Sequence, residues 1–250
     1  MSARFDPSAT MLGGYQKLDG TLEFYGRVGA ILRPTDTVLD LGAGRGAWFF
    51  EDKCETRRRV RDLKPKVACL IGADVDPVVL ANPTTTKNVL IVDGRIPVAE
   101  QSVDVVVADY VLEHIQDPGA FAAEIGRVLR PGGYLCARTP HKYHYVSIAA
   151  RLVRNRRHKD VLAHVQPDRK AVDVFPTAYR LNTLGALRRA FAGFSCFNYL
   201  YAGEPQYYFG RASLYRFLEL VHSVAPAALV SNLFVFMRKP LAPADAASAG

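Results

Sequence analysis

The chain is poor in the residues that build metal knuckles, disulfide frameworks and membrane spans. It has four cysteines and one tryptophan in 250 residues. Cys54, Cys69, Cys136 and Cys196 form no C-x-x-C pair, and no histidine or second cysteine stands at ligand spacing from any of them. That argues against a zinc site and for reduced thiols, Cys69 and Cys136 lying inside apolar runs. No stretch reaches the roughly 18 uncharged apolar residues of a membrane span. The first residues, Met-Ser-Ala-Arg-Phe-Asp-Pro, lack the apolar core of a signal peptide. A cytoplasmic protein is expected.

Acids are the scarcer charge, 24 Asp and Glu against 32 Lys and Arg, for a net charge of +8. Residues 51–66 hold seven basic side chains against four acids, and residues 138–160 hold seven against Asp160 alone. Such clusters suit solvated faces, an anionic substrate or nucleic acid. A chain of this length, 49% apolar, suits one large domain with a sizeable core.

Strand and helix patterns alternate. The sequence predicts strands at Thr37–Leu41, Val67–Ala73, Asn88–Val92, Val103–Ala108, Tyr134–Arg138, Phe194–Tyr201 and Asn232–Met237. It predicts helices at 21–32, from about Arg45, from Pro77, over Pro118–Leu129, from an Asn182 cap through Phe191, and over 207–222. Arg130-Pro131-Gly132-Gly133 reads as a break, and the residues from Leu241 as a disordered tail. Nearly unbroken apolar strands are buried on both faces, so the sheet is expected to be parallel and covered by helices. Ligands then bind at the carboxyl ends of the strands. The first four strands end at or next to Asp40, Asp74, Asp93 and Asp109, an alignment that packing does not require.

The first strand runs straight into Gly42-Ala43-Gly44-Arg45-Gly46. Glycines at alternate positions let the backbone turn sharply and let a ligand lie close, and the next helix offers free N–H groups. Gly42-x-Gly44-x-x-Ala47 also fits a dinucleotide fingerprint, so the loop alone does not choose between nucleotides. Asp40, two residues before the first glycine, stands where a dinucleotide site usually has an apolar strand residue, and Asp74 suits a ribose diol in either reading.

Taken together, Val38–Gly46, Gly72-Ala73-Asp74-Val75-Asp76-Pro77, Val92-Asp93-Gly94, Ser102–Asp109, Val111-Leu112-Glu113-His114-Ile115 and Val128–Gly133 resemble class I S-adenosylmethionine-dependent methyltransferases. The group of small-molecule enzymes that includes the ubiquinone-biosynthesis O-methyltransferases is the most similar. The resemblance covers about residues 36–140. It implies an α/β, Rossmann-like, doubly wound, mostly parallel seven-stranded sheet with an antiparallel last strand and a helical insertion over the active site. The expected organisation is an N-terminal helical cap (1–35), the cofactor-binding core (36–140), a substrate-covering insertion (141–181), the rest of the core sheet with a helical insertion (182–240) and the tail (241–250).

The resemblance also assigns roles. Gly42, Ala43, Gly44 and Gly46 would lie against the methionine portion of S-adenosyl-L-methionine, with S-adenosyl-L-homocysteine as product. Asp40 would hold its ammonium end, Asp74 the ribose hydroxyls, and Val75 would lie beside the adenine. Asp93, with Gly94, would accept from the adenine amino group, and Asp109 and Tyr110 would flank the methionine tail. Asp76 reads as a helix cap, Asp104 as a solvated strand start, and Trp48 as core.

The base for an oxygen acceptor is not fixed by the resemblance. His141, Tyr143 and His144 follow the fifth strand, and His114 is a further candidate; a histidine suits proton transfer near neutral pH. In some related enzymes a Glu and His at the Leu-Glu-His motif help bind a metal, but Tyr110 stands where a further acid is expected, so no metal is predicted. Tyr143, Tyr145, Phe175, Tyr179, Tyr207 and Tyr208 could wall a ring or sugar, or could pack the insertion. If Arg151, Arg154, Arg156 and Arg157 face the site, the acceptor is anionic.

The favoured expectation is O-methylation of a small-molecule or glycan intermediate. An RNA methyltransferase is the main alternative. Against it stand the absence of an appended RNA-binding module and the sequence Ala108-Asp109-Tyr110-Val111, where base-methylating enzymes often carry Asn-Pro-Pro-Tyr. A non-catalytic binding protein and an NAD-dependent oxidoreductase are the remaining alternatives.

Overall fold

The computed structural model describes residues 4–152 and 176–242, with 149–152 described by backbone alone. The sheet strands are β1 (Thr37–Leu41), β2 (Cys69–Asp74), β3 (Lys87–Leu90), β4 (Val103–Asp109), β5 (Leu129–Pro140), β6 (Ser195–Cys196), β7 (Tyr199–Tyr201) and β8 (Asn232–Arg238). Their order is β3-β2-β1-β4-β5-β8-β6, with β7 also paired to β8. β1 to β5 run parallel, and β8 runs antiparallel to β5. This is the Rossmann-like arrangement expected. The order reverses between β1 and β4, the point at whose carboxyl edge sheets of this kind bind their ligands.

The predicted sixth strand is interrupted. β6 and β7 both pair with β8, and between them the Asn198 side chain takes the Phe236 N–H at 2.9 Å in place of a backbone carbonyl. The sheet therefore has eight strands over seven positions.

Alternation along each strand serves the two faces. Leu39, Leu41, Val106, Ala108, Leu135 and Ala137 face one core. It includes Ala122, Ile125 and Val128 of helix α4 (Pro118–Val128). Val38, Val105, Val107 and Cys136 face the other, with Phe24, Tyr25 and Val28 of helix α1 (Gly20–Ile31). All four cysteines are free, as expected from their contexts.

The helix expected from Arg45 is two short ones, α2 (Ala47–Glu51) and α3 (Glu55–Arg61). Asp52 breaks it: its carboxylate accepts from Cys54 N at 2.9 Å and from Arg57 through Nε and Nη2. From Pro77 there is only a 3-10 turn to Ala81, capped by Asp76 accepting from Val78 N at 2.9 Å. The Arg130–Gly133 break lies within β5 as an irregularity, with Gly132 N donating to Lys239 O at 3.1 Å. Asp104 is not merely solvated; it accepts from Thr37 N at 2.8 Å and pairs with Arg130.

Beyond β5 come α5 (Tyr145–Leu152), α6 (Leu184–Ala190), α7 (Ala212–Val224) and α8 (Ala227–Val230). Thr183, not Asn182, caps α6, its hydroxyl accepting from Ala186 N at 3.1 Å. Arg154, Arg156, Arg157, Lys159, Phe175 and residues 243–250 lie outside the described residues. No helix among the described residues is long and apolar enough to cross a membrane.

Candidate functional site

The loop after β1 is held from both sides. Gly42 N donates to Ala73 O of β2 at 2.7 Å, and Gly42 has φ of +74° with no room for a side chain: a Cβ there would stand 2.5 Å from a Val111 methyl. Gly46 has φ of +69°, and its Cβ would stand 2.6 Å from Asn82 Oδ1. Ala43 and Gly44 present their carbonyls to Asn82 Nδ2, each at 3.0 Å. Asn82 Oδ1 in turn accepts from the Thr84 N–H and hydroxyl at 2.9 and 2.7 Å. Asn82 is a brace that sequence reasoning missed. It lies far along the chain in an Asn-Pro-Thr-Thr stretch that reads as an ordinary loop.

Asp74 ends β2 and is buried. Its two oxygens accept from Gly44 N at 2.9 Å and Asp76 N at 3.0 Å, which fixes the carboxylate against the loop. A carboxylate has about four acceptor positions, so capacity remains for hydroxyl groups. Val75 beside it is exposed. Asp93 and Gly94 form a tight, exposed turn in which Arg95 N donates to Val92 O at 2.9 Å; Asp93 itself has φ of +49°. That turn ends β3 at Leu90, short of the expected Val92.

At the reversal of strand order stand two acids with opposite surroundings. Asp109, ending β4, is buried and saturated. Arg138 of β5 binds it through Nε and Nη2, Arg61 of α3 approaches at 3.2 Å, and the Tyr25 hydroxyl donates at 3.1 Å. Burial opposes its charge, yet Arg138 and Arg61 hold its carboxyl below the usual carboxylate range. Asp40, near the end of β1, has no hydrogen bond or ion pair among the described residues. Burial pushes its carboxyl up to about 7; Arg61 opposes this, while Asp109 and Asp74 reinforce it.

Arg61 is the second residue that sequence reasoning missed, because it sits inside a basic run. Its guanidinium lies over the Trp48 ring at 5.1 Å and the Tyr25 ring at 5.5 Å, and its buried Nε has no hydrogen-bond partner among the described residues. Tyr110 follows Asp109 with φ of +58°. Arg138 lies over its ring at 5.0 Å, and Asn232 donates to its hydroxyl at 3.4 Å.

The candidates for proton transfer are spread around the end of β5. Glu113 is buried and accepts from the Thr139 hydroxyl at 2.8 Å; its carbonyl holds the N–H groups of Ala178 and Tyr179. His114 Nδ1 lies 3.0 Å from Pro176 O. His141 is buried, and its Nδ1 lies 2.9 Å from Ala228 O and 3.3 Å from Tyr143 N; the carbonyl can only accept, so the shorter contact places the proton of the neutral ring on Nδ1 and leaves Nε2 its lone pair. His144 is the reverse case. Its Nδ1 accepts from Val146 N at 3.2 Å, which places the proton on Nε2. Burial, with His222 and His141 nearby, pushes His144 down to about 4, and burial also lowers His141. Tyr143 is half exposed.

The expected aromatic wall divides. Tyr145 stacks on His144 at 4.5 Å, and Tyr179 is buried. Tyr208 packs against Phe5 and Tyr215.

A glycine loop, acids along the carboxyl edge and a mostly parallel sheet together give an α/β domain of the kind that binds nucleotides at that edge. Residues 39–137 match a family model described as a methyltransferase domain, and residues 91–185 match a second with the same description. A protein of Mycolicibacterium smegmatis named "Probable S-adenosylmethionine-dependent methyltransferase/" is 35% identical over 109 residues, 42% of this chain and 38% of that protein. An uncharacterized methyltransferase of Schizosaccharomyces pombe is 41% identical over 116 residues, 43% of this chain and 41% of that protein. The chain thus spans about two fifths of the length of these relatives. An S-adenosylmethionine dependent methyltransferase from Mesorhizobium loti shares the fold. Its TM-score is 0.50 at 20% identity, covering 86% of this chain and 96% of that one. The chain carries a class I S-adenosylmethionine-dependent methyltransferase domain. The narrower likeness to the ubiquinone-type enzymes rests on the sequence motifs alone.

Proposed function

We propose that the protein is a cytoplasmic methyltransferase that methylates an oxygen of a small-molecule or glycan intermediate. The observation that carries the donor assignment is the unpaired Asp40 beside the saturated Asp109. An acid drawn out of water without a hydrogen bond or ion pair is costly unless a cation completes it, and the donor's ammonium group is such a cation. The unpartnered Nε of Arg61 suits the carboxylate of the same amino-acid end. The Gly42–Gly46 loop would lie along the methionine portion, Asp74 would take the ribose hydroxyls, and Val75, Asp93 and Gly94 would border the adenine. Asp109 would act through Arg138, Arg61 and Tyr25, keeping them in place, with Tyr110 closing the site from the β4 side.

When bound, the donor supplies a methyl group on a sulfonium, already activated for transfer. What the chain must add is orientation, exclusion of water and, for an oxygen acceptor, a base. Among His141, His144, Tyr143 and His114, we assign the base to His141, which combines burial with a lone pair on Nε2. His144 Nε2 carries a proton and suits holding an oxygen in place.

The test is calorimetry with S-adenosylhomocysteine. Asp74→Ala should weaken binding at least tenfold while the circular dichroism spectrum is unchanged. Equal affinity would remove Asp74 from the ribose site. Failure of the wild-type protein to bind would remove the donor reading itself.

A further inference from the structure

The buried end of β5 carries polar atoms without partners among the described residues. Asn182 Oδ1, Ser231 Oγ and His222 Nε2 are all buried, and no described residue hydrogen-bonds to them. Native proteins leave few such atoms, because each forfeits its bond to water with nothing in return.

These residues belong to segments that meet at one place. Lys142 N donates to Asn182 O at 2.8 Å, and Asn182 Nδ2 donates to Pro140 O at 2.9 Å and to Thr139 Oγ1 at 2.6 Å. His141 N donates to Ser231 O at 3.3 Å. The Tyr145 ring stacks on His144 and meets the His222 ring at 5.9 Å. The turn from Thr139 to Tyr145 is thus lined by Asn182, Ser231 and α7.

The unsatisfied atoms have one polarity. Asn182 spends both its amide hydrogens on Thr139 and Pro140, leaving a carbonyl oxygen. His222 Nδ1 lies 3.3 Å from Gly203 O and His141 Nδ1 lies 2.9 Å from Ala228 O, so each presents Nε2 as a lone pair. Two buried, unpartnered acceptors, Asn182 Oδ1 and His222 Nε2, and one hydroxyl, Ser231, call for hydrogens, and His141 Nε2 adds a lone pair at the same turn. A carboxylate or phosphate would set lone pairs against lone pairs. A protonated amine would need a countercharge, and the groups named here are neutral.

We propose that the end of β5 is the acceptor subsite and that it takes a neutral, hydroxyl-bearing molecule, whose O–H groups complete Asn182 Oδ1, His141 Nε2, His222 Nε2 and Ser231 Oγ. The inference rests on the methyltransferase reading and names its substrate class. It departs from the anionic acceptor that the basic run suggests.

The experiment uses the full chain saturated with S-adenosylhomocysteine, whose binding is measured first. Two matched pairs of probes are titrated by saturation-transfer NMR: methyl α-D-glucopyranoside against methyl α-D-glucuronoside, and 4-methylcatechol against 3,4-dihydroxybenzoate. At least one neutral probe should bind, and its acidic counterpart at least fivefold more weakly. Ser231→Ala should weaken the neutral probe at least fivefold without lowering Tm, because it deletes an unpaired buried hydroxyl. His222→Phe should weaken it similarly, with affinity for S-adenosylhomocysteine unchanged in both variants. Equal or tighter binding of the acidic probes, no binding of either neutral probe, or a neutral affinity indifferent to Ser231→Ala would overturn the substrate class while leaving the donor site standing. Failure to bind S-adenosylhomocysteine would overturn both.

Discussion

Asp40 and Asp109 are the same residue type at the same sheet edge, and their surroundings give them opposite chemistry. Asp109 has two arginines and a tyrosine, whereas Asp40 has none of its own. The sign of the resulting pH dependence follows. With its carboxyl raised to about 7, Asp40 is protonated in the free protein at lower pH and must ionise to receive an ammonium group. Affinity for S-adenosylhomocysteine should therefore fall about tenfold between pH 8 and pH 6. Asp40→Asn should flatten that slope; a wild-type affinity independent of pH would remove Asp40 from the ammonium contact. In the free protein the same group works the other way. Its folded form holds the proton more tightly than the unfolded chain, so its contribution to stability is lost as pH rises toward about 7. The sequence showed an acid at each strand end. It did not show which was already paired, because Arg61 and Arg138 arrive from α3 and β5.

Elements depend on local fit in ways that a residue type does not reveal. Gly46 and Gly126 are both glycines at or in helices, yet only Gly46 has positive φ and a crowded Cβ position, while a Cβ on Gly126 would meet nothing within 4 Å. Gly46→Ala should cost about 2 kcal/mol or more from the left-handed backbone and the contact with Asn82. That lowers Tm by about 4–8 °C and weakens S-adenosylhomocysteine binding. Gly126→Ala should do the reverse, raising Tm by about 1–4 °C through the roughly 0.5–1 kcal/mol that alanine gains in a helix. Differential scanning calorimetry of the pair checks both signs; two variants with the same sign would refute the account of the loop. Similar local effects explain the displaced boundaries. Asn182 has the right side chain for a cap but is held by Thr139 and Pro140, so Thr183 caps α6. The sixth strand keeps its alternation, but Asn198 interrupts the ladder with its side chain.

At the scale of the whole molecule, a ligand that binds only the folded state raises its stability. S-adenosylhomocysteine at about one hundred times its Kd should add about 2.7 kcal/mol, a rise in Tm of about 5–10 °C. NADH at equal concentration should add nothing, and a shift with NADH alone would move the protein to the dinucleotide class. Most of the frame was legible in advance. Apolar strands with helices between them, a glycine loop after the first strand and an acid at successive strand ends are written in short-range spacing. That spacing encodes burial on two faces and a backbone turn. The partner of each polar group was decided only when distant segments came together. Asn82 braces the loop from the β2–β3 connection, Arg61 and Arg138 saturate one acid and leave its neighbour open, and the carbonyls of Ala228 and Gly203 set the tautomers of His141 and His222. A hydrogen bond needs both its atoms within reach, and where they lie far apart in the chain, the fold alone brings them together.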